Sequence, residues 1–255
     1  MRFSKYAATI PALALALSAG AASAASVTPD IIFGDGNANG GFTVTNTELD
    51  FPSNPIGGNL ELGLRAKLRY DDSGSPQNQF NWDGTDTYSF DLTNGNPPSD
   101  RAMWNFEWSV NVEDLENNGN QVTIPQLVQG GANLVLSYDT DPGAGTSFVD
   151  YNLFDADAYY GTNATGNGDG TYANVFGGDT IPAGSTVAQN SVNYGFGFIG
   201  GPLGAGLFDI KMTAFSFGGA ELASTRISVD VAPVPVPAAL PLLLAGLGGL
   251  GLVGR

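Results

Sequence analysis

The chain has 255 residues, with 25 Asp and Glu against nine Lys and Arg, a formal charge of −16, and neither cysteine nor histidine. The missing residue types exclude disulfides, a cysteine nucleophile, a Ser–His–Asp triad, and any zinc, copper or non-haem iron site built on His or Cys. Carboxylate chemistry and cations held by oxygen ligands remain open.

Residues 1–24 read as a secretory signal peptide. Arg2 and Lys5 supply the positive start, Ala7–Leu17 the short apolar centre, and Ala22-Ser23-Ala24 an A-x-A cleavage site, with Ala22 and Ala24 as its small residues. The body that follows, residues 25–232, is long enough for one domain with a substantial core. It holds six basic residues against 25 acidic ones, a formal balance of −19. Such a surface repels nucleic acid and favours solubility and cation binding; it is equally what a salty environment selects.

Abundant glycine and asparagine, low charge density and short strands between turn signals predict an all-β fold, a single β-sandwich or jelly-roll-like domain. Ile31-Ile32-Phe33 opens the body ahead of the turn GDGNANGG, Phe42–Thr45 is a short strand, and FPSNPIGGN (51–59) reads as loop. Leu60–Tyr70 is the clearest strand. Leu60, Leu62, Leu64, Ala66, Leu68 and Tyr70 alternate with Glu61, Gly63, Arg65, Lys67 and Arg69, which predicts one face on the core and one in water. The charged face is either a docking strip for an acidic polysaccharide or a set of cations paired with carboxylates on neighbouring strands; the second reading is favoured. Tyr88, Phe90 and Leu92 mark a further strand.

In Met103–Val112, Trp104, Phe106, Trp108, Val110 and Val112 share one face at period two, so both tryptophans are expected in the core. Trp82, in the loop setting NQFNWDGTD, is the candidate for an exposed ring that stacks on sugar. Val122–Ile124 and Leu134–Tyr138 are read as continuing the sheet, Pro125 putting the former at an edge or a strand end.

Residues 139–179 are the most acidic and glycine-rich stretch. Asp139, Asp141, Asp155, Asp157 and Asp169 are candidate ligands for Ca2+, which takes six to eight hard oxygens from a flexible loop. Asn163-x-Thr165-x-Asn167-Gly168 copies the first half of an EF-hand loop, but Asn174 stands where the bidentate Glu belongs. The alternative is that Asn, Asp and Gly here simply make turns. Gln189–Gly200 and Gly206–Phe217 read as two long strands joined by a Gly/Pro turn, and Thr225, Ile227, Val229 and Val231 as the last strand.

That strand leads into APVPVPAALPLLLAGLGGLGLVGR. Pro233, Pro235 and Pro237 make residues 233–237 an extended spacer, and Ala238–Val253 is an uncharged run. As a helix the run is about 24 Å long against a hydrocarbon layer of roughly 30 Å, and Arg255 can reach the headgroups. Residues 238–255 are thus expected to form a C-terminal membrane helix. Val234, Pro235, Val236, Pro237 and Ala238, followed by a Leu/Gly/Ala run and a basic end, resemble the VPLPA-type C-terminal sorting signal, a relative of PEP-CTERM tails. Val236 replaces the family's usual Leu, and Arg255 stands alone where a basic cluster is usual. The resemblance implies recognition by exosortase, a membrane transpeptidase-like enzyme, with cleavage near the Pro motif.

The expectation is therefore an exported, non-enzymatic protein, transiently anchored in the cytoplasmic membrane and then placed at the cell surface or in the extracellular matrix, with exopolysaccharide as a further partner. The alternative is a carbohydrate-binding module, calcium-dependent if residues 139–179 hold the ion. A two-carboxylate glycosidase requires a selected acidic pair, and nothing in the sequence selects one.

Overall fold

Alternation of apolar and polar side chains is carried into strands throughout the computed structural model, which describes residues 30–51, 54–113, 122–216 and 218–233. The strands are β1 (Thr43–Phe51), β2 (Asn54–Tyr70), β3 (Pro76–Gln79), β4 (Thr87–Asp91), β5 (Trp104–Asn111), β6 (Asn133–Asp139), β7 (Phe148–Asn152), β8 (Asp157–Gly161), β9 (Thr171–Asn174), β10 (Val187–Asn193), β11 (Gly206–Phe215) and β12 (Glu221–Ala232). Among the described residues one α-helix, α1 (Ile124–Gln129), lies between β5 and β6. The signal peptide with Ala22 and Ala24, the motif Val234–Ala238 and the apolar run to Arg255 lie outside the described residues. Among those described, no helix is long and apolar enough to cross a membrane.

Two sheets form. The first runs β1-β2-β5-β10-β8-β9, with β3 also paired to β2; the second runs β4-β12-β11-β6-β7. Pairing is antiparallel except between β12 and β4. The fold is therefore all-β and sandwich-like. Leu60, Leu62, Leu64, Ala66 and Leu68 of β2, with Trp104, Phe106, Trp108 and Val110 of β5, meet Phe208, Ile210 and Met212 of β11 and Ile227 and Val229 of β12 in one buried cluster. Both tryptophans are core, as period two required, and the ring of Trp104 stacks on Tyr194 with centroids 4.4 Å apart.

The second face of β2 departs from the expectation of water. Glu61, Arg65 and Lys67 are buried, as are Asn105, Glu107, Ser109 and Asn111 opposite them on β5. Residues 30–42 cross this face as a strap. Ile32 N donates to Gln189 Oε1 (3.1 Å), Gly168 N to Ile31 O and Gly170 N to Ile32 O (both 2.9 Å). Ile31, Phe33 and Phe42 make a small second apolar cluster there. The first sheet is thus covered on both sides, and the favoured pairing of cations with a neighbouring carboxylate holds: Arg65 and Lys67 both meet Glu107.

Other boundaries differ for local reasons. Val122–Ile124 is not strand. Thr123 accepts from Gln126 N, and the Gln126 side chain accepts from Thr123 N, a reciprocal capping box with Pro125 in the first turn, so the proline starts α1 rather than ending a strand. The stretch 51–59 is not all loop, since β2 begins at Asn54. Residues 206–217 and 189–200 do not pair: β10 ends at Asn193 in the first sheet and β11 lies in the second. Asn193 Oδ1 accepts from both Ala102 N and Gly195 N at 2.9 Å, and this bond pattern turns the chain. A Cβ on Gly195 would stand 2.3 Å from Ala102 N, so only glycine allows the approach.

Candidate functional site

The residues singled out by sequence are dispersed. Trp82 follows Asn81, whose φ of 44° is the left-handed turn that Asn tolerates. Its ring stacks on Tyr88 (centroids 6.3 Å, planes 17° apart) and remains 43% exposed. The five aspartates serve different turns. Asp139 is buried; its Oδ1 accepts from Asp141 N (3.0 Å) and Ser147 N (2.6 Å), closing the β6–β7 loop. Asp141 accepts from Gly143 N in the same loop. Asp155 ends a single 3-10 turn, Asp157 begins β8, and Asp169 N donates to Gly166 O ahead of β9. Among the described residues, no three acidic groups come together in a way that could hold a metal ion. The partial EF-hand copy is used locally: Asn163 accepts from Asn111, Thr165 from Thr162 N, and Asn167 donates to the strap at Asn37 O.

The arginine–lysine strip of β2 is a closed ion cluster. Arg65 Nε and Lys67 Nζ each lie 2.5 Å from one oxygen of Glu107. Arg65 also donates to Ala38 O and Gly40 O of the strap, and its guanidinium is sandwiched 4.5 Å from the ring of Phe42 and 4.4 Å from that of Phe80. Lys67 donates to Asn37 and Asn78. Burial pulls the Lys67 ammonium below the usual lysine range, and Glu107 only partly offsets this. Arg65 and Lys67 face the protein's own strap and are not presented to solvent, while Arg69, the third cation of that face, is half-buried and lies outside the cluster.

What sequence reasoning missed is a cleft of about 490 Å³ between the two sheets. It has a topological origin. β8 pairs with β10 only from Val187 to Gln189, and beyond that point the side chain of Asn190 bridges to Asp157 O (2.8 Å). Where β8 departs, the inward residues of β10 lose their cover. Phe106, Trp108, Asn190 and Val192 form the wall on the first sheet, and Leu136, Tyr138 and Tyr151 the wall on the second. The rim is aromatic: Phe176 is 82% exposed and Phe198 is 66% exposed. Phe198 belongs to the turn after β10, stacks on Phe196 at 5.6 Å, and is held where Tyr138 donates to its carbonyl (3.4 Å).

Among the described residues that line the cleft Asp157 is the one charged residue, and its carboxylate accepts from Tyr172, which is not in the lining. Burial raises the Tyr151 hydroxyl above the ordinary tyrosine range, and the nearby Asp157 and Asp155 raise it further; burial does the same to Tyr138. Both phenols therefore stay protonated, as donors, at neutral pH. The aromatic pair in GFGF (195–198) and the lone Phe176 in a glycine turn were the available signals, but aromatic residues in turns carry no period to read. The chain matches no protein-family model, and no curated protein matches it.

Proposed function

We propose that the chain is an exported, non-enzymatic cell-surface or extracellular-matrix protein, handed to an exosortase-type membrane enzyme by the VPVPA motif that follows its last strand. The observation that carries this reading is the position of β12. This strand lies inside the second sheet, between β4 and β11, and runs to Ala232, one residue before Pro233 opens the spacer. Pro233 can donate no ladder bond, so the sheet ends where the tail begins. A tether leaving this strand follows a segment, Ser228–Val231, that is paired on both sides, to β4 and to β11, which suits a protein parked by its tail. The lack of cysteine and histidine supports the same reading, as does the occupation of the most deeply buried carboxylate among the described residues, Glu107, by two cations.

Mass spectrometry of the mature protein from cells with and without an exosortase tests it. The expected result is a C-terminus trimmed near Val234–Pro237 only when the enzyme is present; an intact tail in both strains rejects processing. The half-exposed face of Trp82 favours a second reading, a carbohydrate-binding module, with Ca2+ at residues 139–179. Glycan binding abolished by Trp82→Ala and by a chelator is its signature.

A further inference from the structure

The strap brings a third reactive group to the buried pair of Lys67 and Glu107. Lys67 Nζ lies 2.5 Å from Glu107 Oε1 and donates to two side-chain amides, Asn78 Oδ1 (2.9 Å) and Asn37 Oδ1. Apart from that ammonium, Glu107 Oε1 has no hydrogen-bond partner among the described residues. The Asn37 amide is fixed from behind: its Nδ2 donates to Phe33 O (2.8 Å) and Gly34 O (3.0 Å), which turns its carbonyl toward the amine. The buried ring of Phe33, 6.0 Å from Nζ, closes that side to water. An amine, a carboxamide and a carboxylate able to carry protons are thus in mutual reach.

We infer that Lys67 Nζ and Asn37 Cγ become joined in an intramolecular isopeptide bond, with Glu107 as the proton carrier and ammonium as the group released. Charge favours the reaction. Two cations share Glu107, and a guanidinium does not give up its proton in a protein, so a proton shed by this pair comes from Lys67. Burial already draws that ammonium below the usual lysine range, and a desolvated amine is a nucleophile at neutral pH. Glu107 takes one proton from Nζ, and the freed lone pair attacks Asn37 Cγ, forming the N–C bond and moving the C=O electron pair onto Oδ1. Glu107 passes this proton, and then a second from Nζ, to Nδ2. The C=O bond re-forms, the Cγ–Nδ2 bond breaks, and Nδ2 leaves as ammonium. Ammonium side chain plus amide become secondary amide plus ammonium ion, with Glu107 ionised at the start and at the end; no oxidant, reductant or other reactant is needed. Contact within the fold replaces a bimolecular encounter. Asn37 is half-buried and Asp35 and Gly36 beside it are exposed, so the released nitrogen has a short way out. The product is neutral at Lys67 and leaves Arg65 and Glu107 as a one-to-one pair. It also clamps the strap to β2 in a chain without cysteine, where no disulfide can do so. The ion cluster is the state before reaction. The inference concerns the β-sheet body and is independent of tail processing.

The test is mass spectrometry of the full chain, intact and after proteolysis. The folded protein is expected to be lighter than its sequence by one ammonia, about 17 Da, and its digest to contain a branched peptide joining Lys67 to Asn37. A succinimide at Asn39-Gly40 loses the same mass, so the branched peptide decides. Asn37→Ala and Lys67→Arg are expected to abolish the branch, and Glu107→Gln to lower its yield after a fixed time at least about tenfold. The digest of the parent chain and Asn37→Ala, at a half-buried strap position, keep the idea testable if Glu107→Gln misfolds. Unmodified Lys67 in the folded parent chain, a branch to Asn78 or any other residue, or an undiminished branch in folded Glu107→Gln overturns the assignment.

Discussion

Arg65 Nε lies 2.5 Å from Glu107 Oε2 with both side chains fully buried, on the face of the first sheet that alternation assigned to water. Lys67 shares the same carboxylate, so the cluster holds two cations and one anion away from solvent. Further donors of the two cations go to the strap and to Asn78. Glu107→Gln removes the carboxylate that both cations contact. Stranding buried charge costs about 3–5 kcal/mol, so the denaturant midpoint should fall by that equivalent with an unchanged slope. Without Glu107 the Lys67 ammonium loses the influence that raises it, and the variant should regain stability as pH rises toward the unfolded lysine value. A shift below about 1 kcal/mol would mean that the cluster is solvated.

The buried tyrosines set the alkaline limit. Burial pushes Tyr88 and Tyr160 up to about 12 and raises Tyr194 as well. Each phenol titrates near 10 when unfolded, so between these values the native state holds protons that the unfolded state has lost. Stability from these groups is complete below about pH 10 and falls as pH rises toward 12, by on the order of 1.4 kcal/mol per pH unit for each tyrosine. Lys67 acts with the opposite sign, but its window lies below the unfolded lysine value. The measurement is absorbance of tyrosinate alongside circular dichroism. Part of the tyrosinate signal should appear only with unfolding; smooth titration of every phenol near pH 10 in a folded protein would refute the burial argument.

Gly170 tests the strap. Its amide donates to Ile32 O, and a Cβ there would stand 2.4 Å from that oxygen and 3.1 Å from Tyr159 Cβ. Backbone cannot yield as a flexible side chain does, so Gly170→Ala should push residues 31–33 off the sheet. Hydrogen exchange should accelerate across the strap and at Arg65 and Lys67, while β11 and β12 in the second sheet stay protected. Uniform protection, as in the parent chain, would show that the strap is held elsewhere.

The strands of the central core were readable because period two persists over β2, β5 and β12, and burial of one face demands it. The same signal misled on the outer face. Alternation reports which side chains are polar, and it cannot show that a distant strap with Asn37 and two free carbonyls, Ala38 O and Gly40 O, will cover Arg65 and Lys67. β7, β8 and β9 were hidden for a related reason: residues 148–174 mix strand with Asn, Asp and Gly turns too short for a period to emerge. Thr123-Ile-Pro-Gln carries the capping-box spacing, but the β-branched residues Val122, Thr123 and Ile124 give the same stretch a strand-like local signal. The cleft was out of reach because it exists only where β8 leaves β10, a property of the pairing and of no single stretch.

A chain ending at Pro233 should fold as the longer one does. Every described ladder bond of β12 is complete by Ala232, whose partner is Asp91 of β4, and Val231 pairs with both Gly206 and Phe90. The expected result is an unchanged near-ultraviolet spectrum and denaturant midpoint. Ending the chain at Ser228 instead removes Val229 and Val231, both buried, at about 1.5–3 kcal/mol each for lost apolar burial. It also strips β4 of its partner from Tyr88 to Asp91, and β4 has no other neighbour in that sheet among the described residues. The shorter cut should therefore leave a protein with collapsed but mobile packing. If the cut after Pro233 did the same, the apolar tail would be part of the fold, and its reading as a separable sorting handle would fail.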